Sequence, residues 1–211
     1  IGVQSLNSNS TGNGNVALGY NALYYNTTGA GNTASGFYAL VSNTSGSLNT
    51  ATGLDAMNGN VTGYNNTANG VRSLYYNTTG AGNTAMGLDA LYSNESGGNN
   101  TSVGFQSLYS NATGQSNSAS GKNALYYNTE GSFNTAFGVD AGSANITGSN
   151  NTAIGYNANM AYDNLTNTTV IGSEAKAYQS NTVILGNNAS VGIGTFAPHS
   201  SAKLSIVSTN Q

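Results

Sequence analysis

Apolar residues in this chain fall at fixed places in a repeated 17-residue phrase. Glycine marks the period. Gly2, Gly19, Gly36, Gly53, Gly70, Gly87, Gly104, Gly121, Gly138, Gly155 and Gly172 are evenly spaced, without a single insertion. The unit reads N-T-A-x-G-x-x-A-L-x-x-N-x-T-G-x-x, as in the stretch NTAMGLDALYSNESGGN from Asn83 to Asn99. Its positions are numbered below as places 1 to 17. Asn opens nine successive units, Asn15 to Asn151, and a second Gly fills place 15 from Gly12 to Gly148. Leu or Met holds place 9 from Leu6 to Leu125, then gives way to Gly142 and Asn159. A fixed period of this kind predicts a solenoid, each unit stacking on the next.

The unit is too short for a helical pair, which needs more than about 30 residues. Places 1 to 6 alternate instead. Places 2, 4 and 6 carry Thr and larger residues such as Met86 and Leu88, while places 3 and 5 are Ala and Gly. Period two is the signature of a strand with one small and one bulky face. Places 12 to 15, N-x-T-G, read as turn chemistry, with Asn and Gly tolerating positive φ. The expected fold is all-β, a parallel β-solenoid with one 17-residue coil per unit. At about 4.8 Å per coil, the eleven glycine-marked levels make a rod roughly 50 Å long.

One coil offers little apolar surface against roughly 1–2 kcal/mol of backbone entropy per ordered residue. This predicts a homotrimer, with the small Ala and Gly faces packed near a common axis and Leu filling each coil.

Composition narrows the class. Only 5% of residues are charged, against roughly 25% in ordinary soluble proteins. Asn (35) and Gly (29) dominate. Such a composition alone fits a disordered chain, but the single proline and the regular apolar places oppose that reading. The net charge is −3, and the cations are Arg72, Lys122, Lys176 and Lys203. Four scattered cations make no basic patch, which argues against nucleic-acid partners and against attraction to anionic membranes. No apolar run is long enough to span a bilayer. The chain has no cysteine, so disulfides and thiolate metal sites do not arise. It begins at Ile1 in mid-repeat, and its natural N-terminus is expected upstream.

From Thr169 the unit shortens: TVIGSEAKAYQSN is followed by TVILGNNAS. These two lines resemble the 14-residue head repeats of trimeric autotransporter adhesins, of the NSVAIGxxAxAxGx kind. Val170, Ile171, Gly172, Ala175 and Ala177 match, as do Val183, Leu185, Gly186 and Ala189, with one extra apolar residue in the second strand. The resemblance implies a trimeric left-handed parallel β-roll on a cell surface. VGIGTFAPHSSAKLSIV, from Val191 to Val207, is similar to a connector common in phage tail fibres and bacterial surface fibres. The chain thus divides into 17-residue repeats (1–167), shorter head-like repeats (168–190) and a connector (191–211).

Candidate chemistry is sparse. The single histidine, His199, lies beside Pro198 in the connector and has no partner in sequence for nucleophilic catalysis. Asp55, Asp89 and Asp140 share place 7, two and three coils apart, or about 10 and 14 Å. They read as a solvated acidic stripe rather than the acid pair of a glycosidase. Calcium-binding solenoids carry an Asp in every unit, which these units do not. No cofactor or metal is expected. Sequons occur at place 12: Asn9, Asn26, Asn43, Asn60, Asn77, Asn94, Asn111 and Asn145. They are candidates for glycosylation, or for a side-chain hydrogen-bond ladder. Asn128 keeps the Asn and loses the sequon, which favours the ladder.

Tyrosine supplies the candidate binding surface. Tyr24–Tyr25, Tyr75–Tyr76 and Tyr126–Tyr127 recur every third coil, and Tyr92 and Tyr109 fill the same place 10. Such a column either stacks against sugars or a protein partner, or shields the Leu beneath it. The expected function is therefore a non-enzymatic shaft of an extracellular trimeric adhesin or tail fibre, on a cell surface or virion. Its partners would be its own copies, in a trimer or an end-to-end filament, and a surface glycan or protein. An ice-binding solenoid is the alternative: Thr is regular at place 2, though place 4 varies from Ser35 to Phe137.

Overall fold

The computed structural model describes residues 1–187, 189, 191–193 and 204–206 of the chain. His199 and most of the connector lie outside the described residues. The rest is a parallel β-solenoid. Three-residue strands recur once per 17-residue unit from Val16–Leu18 to Thr152–Ile154, and again at Thr169–Ile171. A shorter 14-residue step then leads to Val183–Leu185. These strands form one 11-stranded parallel sheet in chain order. Place pairs with place throughout, Ala85 with Ala68 on one side and Ser102 on the other. In the last coils Asn159–Met160 adds a second short strand, paired in parallel with Lys176–Ala177. Val191–Ile193 and Leu204–Ile206 pair separately.

Alternation holds in every strand of the repeats, but its small side faces inward. Ala34, Ala51, Ala68 and Ala85 at place 3 are fully buried inside their own coil, together with the place 8 Ala and the place 9 Leu or Met. The expectation that Ala and Gly pack between chains near an axis is therefore corrected. A 17-residue loop encloses so narrow an interior that it needs the small side chains for itself, and the bulky places 4 and 6 are turned out.

Two asparagine ladders close the loop. At place 12 each amide nitrogen donates to the Oδ1 of the Asn one coil earlier, unbroken from Asn9 to Asn145 at 2.6–2.9 Å. The same nitrogen donates to the place 15 carbonyl of its own coil, as Asn94 does to Gly97 at 3.0 Å. At place 1 the Asn side chain reaches across to that same carbonyl: Asn83 Nδ2 donates to Gly97 O at 2.8 Å. Its Oδ1 meanwhile accepts the backbone N–H of Asn100 at 3.0 Å. The Gly97 carbonyl thus uses both lone pairs on buried amides. A Cβ at Gly97 would sit 2.5 Å from both Asn94 Oδ1 and Gly114 O, so only glycine fits.

The N-x-T-G segment does bend, at places 13 and 14, but without left-handed residues. Neither the Asn of place 12 nor the Gly of place 15 has positive φ; left-handed residues other than the period glycine stand at places 7, 9 and 17. Every core Leu or Met from Leu6 to Leu125 has φ between 49° and 53°. An L-residue there costs roughly 1–2 kcal/mol. Burying the Leu side chain contributes about 1.5–3 kcal/mol and offsets that cost.

Candidate functional site

Two left-handed residues, at places 7 and 9, bracket the start of each outward turn and throw places 10 and 11 away from the buried Ala–Leu pair. Backbone bonds fix those places at coil spacing, as in Tyr76 N to Tyr92 O at 2.9 Å. Tyr75, Tyr92, Tyr109 and Tyr126 consequently stack face to face. Their ring centroids are 5.2, 5.0 and 5.1 Å apart and their planes lie within 12° of parallel. Tyr76 stands edge-on to Tyr75 and Tyr92, and Tyr127 edge-on to Tyr126. Val41 and Asn58 interrupt the column, leaving Tyr24–Tyr25 as an isolated T-shaped pair. The eight tyrosines expected at one surface thus form a four-ring stack with flanking rings, plus one separate pair.

Stacking changes what the column offers. Tyr92 and Tyr109 have a ring on each face, so their π-surfaces are spent on one another. Leu74, Leu91, Leu108 and Leu125 are at most 1% exposed. So are Leu40 and Met57, in coils with Val41 and Asn58 at place 10, so burial of the core does not depend on the rings. Burial pushes the Tyr92 hydroxyl up to about 12, helped by its bond to Tyr76 and by the neighbouring Tyr76 and Tyr109, and opposed by Arg72. Burial also raises Tyr75, with Asp55 adding to it, and raises Tyr126, with Tyr109 adding to it.

Place 7 runs beside the stack as a polar column. Arg72 meets Asp89 with Nε to Oδ1 at 2.9 Å and Nη2 to Oδ2 at 3.0 Å, and its guanidinium lies 5.6 Å from the Tyr92 ring. This is the only ion pair among the described residues. Asp89 is 3% exposed, so the picture of a solvated acidic stripe fails for its middle member. Asp55 accepts from Asn58 and Asp140 from Asn123, each at 2.9 Å. Arg72 is the member of this column that the acidic pattern alone does not reveal, although its 17-residue offset from Asp89 is legible in the sequence.

The sequons resolve into the ladder. Asn26, Asn43, Asn60, Asn77, Asn94, Asn111 and Asn145 are fully buried, with each amide nitrogen making two hydrogen bonds. In the folded chain these nitrogens have no access to a glycosyl donor; Asn9, in the first coil, is exposed.

The largest unpartnered feature is the outward face. At place 6 Val3, Tyr20, Phe37, Leu54, Val71, Leu88, Phe105, Val139 and Tyr156 are all exposed. At place 4 so are Leu18, Met86, Val103, Phe137, Ile154, Ile171 and Leu185. Small residues interleave at place 4, and Ser120 between Val103 and Phe137 leaves a shallow groove of about 120 Å³. Thr at place 2 forms one regular outward column, but this apolar column beside it breaks any hydroxyl lattice.

No protein-family model, no curated protein and no solved structure matches this chain.

Proposed function

We propose that this chain is a non-enzymatic segment of an extracellular fibre shaft, in which three copies pack side by side along their outward apolar faces. The observation that carries the reading is the set of bulky side chains at places 4 and 6, along an uninterrupted solenoid. It is broken by Ser35, Thr52, Asn69 and Ser120 at place 4 and by Lys122 at place 6. Aromatic side chains present roughly 150–250 Å² when free, and aliphatic ones somewhat less. Sixteen of them, each more than a third exposed, leave on the order of 1,300 Å² per chain, or about 650 Å² for each of a trimer's two contacts, close to the roughly 800 Å² per partner of a standard interface. Monomeric proteins rarely leave so much apolar surface to water.

Three copies suit this face better than two. The columns lie on either side of the bend at the place 5 glycine, so they are two different surfaces. With the two columns facing different neighbours, packing place 4 of one copy against place 6 of the next is a heterologous contact, and three copies make the smallest ring that closes it. Identical coil spacing lets the contact continue in register along the rod. The extracellular setting rests on the likeness of the last repeats to adhesin heads and of the connector to tail-fibre sequences. Electron micrographs of the native particle, labelled with gold against this chain, test the placement. Labels along a stalk or fibre are expected; labels confined to a particle's interior or to cytoplasm would overturn it.

A further inference from the structure

The four-ring stack ends because the coil after Tyr126 carries Ser143 at place 10. No ring covers the far side of Tyr126; its aromatic partners are Tyr109 beneath and Tyr127 at its edge. A notch of about 300 Å³ opens there, bounded by Tyr126, Tyr127 and Ser143 on one side and by Gln106, Asn123 and Asp140 on the other. We propose that this notch binds one pyranose ring of a neutral surface glycan, held against the Tyr126–Tyr127 corner and hydrogen-bonded by Asp140.

The chemistry matches on both walls. A pyranose presents an apolar C–H face, which suits the electron-rich face of a tyrosine, and a rim of hydroxyls. Tyr126 and Tyr127 meet at 80° and form a corner rather than a flat plate, which fixes a ring in two directions. Across the notch the Asp140 carboxylate is held by Asn123 Nδ2 at 2.9 Å through Oδ1 only. Its second oxygen has no protein partner among the described residues and is free to accept from a sugar hydroxyl. Asn123 Oδ1 is itself buried without a hydrogen-bond partner.

The Tyr24–Tyr25 corner shares the 80° geometry and, in Asn21 Oδ1, an unpartnered place 7 amide oxygen. Its next coil carries Tyr38 and Val41 where the notch has Asp140 and Ser143, so it has no carboxylate. The rest of the column lacks the combination too. Tyr92 and Tyr109 are covered on both faces. Asp89 is committed to Arg72. At the opposite end, Tyr75 faces a coil whose Asp55 and Asn58 are bonded to one another. Places 7, 10 and 11 are not among the apolar places 4 and 6 that carry the shaft reading. The proposal therefore stands apart from the shaft reading: solution mass tests that one, and sugar binding tests this one.

The experiment is calorimetric titration of the full chain with cello-, malto-, manno- and chito-oligosaccharides. Binding of at least one series is expected, weakened at least about tenfold by Tyr126→Ser and by Asp140→Asn. Tyr25→Ala, in the isolated pair, should leave it unchanged. Far-UV circular dichroism of each variant confirms that the solenoid persists, and Asp140→Asn keeps the shape of the site if Tyr126→Ser disturbs the stack. Absence of binding across all four series overturns the proposal, as does binding that survives both notch substitutions or falls equally with Tyr25→Ala.

Discussion

Asn94 shows what a single residue does in this molecule. It donates to Asn77 Oδ1 at 2.6 Å and to Gly97 O at 3.0 Å, and accepts from Asn111 Nδ2 at 2.8 Å, all without contact with water. Asn94→Ala leaves three buried polar groups short of a partner, and each such loss costs about 1–3 kcal/mol. Denaturant unfolding should show at least about 2 kcal/mol of destabilisation, while Asn69→Ala, exposed at place 4, stays within about 0.5 kcal/mol. Ser102 and Ser107 give a second case. They replace the consensus Ala at places 3 and 8 of one coil, and their hydroxyls bond to each other inside the core. Replacing both with Ala removes donor and acceptor together and is expected to leave stability unchanged or raised; Ser102→Ala alone should cost roughly 1 kcal/mol. The identity of the ladder residues was legible in the sequence, because Asn128 keeps the place 12 Asn without the sequon. The side-chain reach of the place 1 Asn to the place 15 carbonyl was not, since it depends on how the coil closes in three dimensions.

The coil is the element, and its period is the part of the fold written most plainly in the chain. Each 17-residue unit adds one strand, two ladder rungs and one core Leu, and touches mainly its neighbours. Deleting residues 84–100 removes one whole unit and should preserve the circular dichroism spectrum, shortening the rod by about 4.8 Å in small-angle scattering. Deleting residues 84–91 throws both ladders out of register and should unfold the flanking coils. What the period concealed was the direction of the alternation. A strand pattern of small and bulky residues does not say which side is inside. The girth of the loop decides, and so short a loop leaves room for Ala, Ser and Asn and one Leu or Met per coil. The tyrosine stack belongs to this scale as well, because it exists only between coils. Its raised hydroxyls are neutral in the fold. The Tyr92 contribution is fully present below about pH 10, the ordinary tyrosine value, and is lost as pH rises through about 12. Stability measured against pH should fall over that window, and Tyr92→Phe should make the fall shallower; an unchanged slope would show that the stack does not hold the proton.

For the whole molecule, rod and outward face carry the proposed function. The solenoid supplies length from one short repeated phrase, and the columns at places 4 and 6 supply the apolar surface proposed as the seam between copies. The bulky residues of that seam were visible in the sequence as the variable places of the unit. Their role was not, because in sequence the small Ala and Gly places look equally able to form a close contact between chains. With the small side chains enclosed, the seam is the surface left to pair. Leu88→Glu together with Phe105→Glu places two charges on it without touching a ladder. That variant should keep its circular dichroism and sediment as a smaller species. The most direct measurement is the mass of the unmodified chain in solution by multi-angle light scattering. The account predicts three times the 21.3 kDa chain mass, in a particle whose length follows the coil count. A stable 21.3 kDa species at micromolar concentration, with its apolar face open to water, would contradict it.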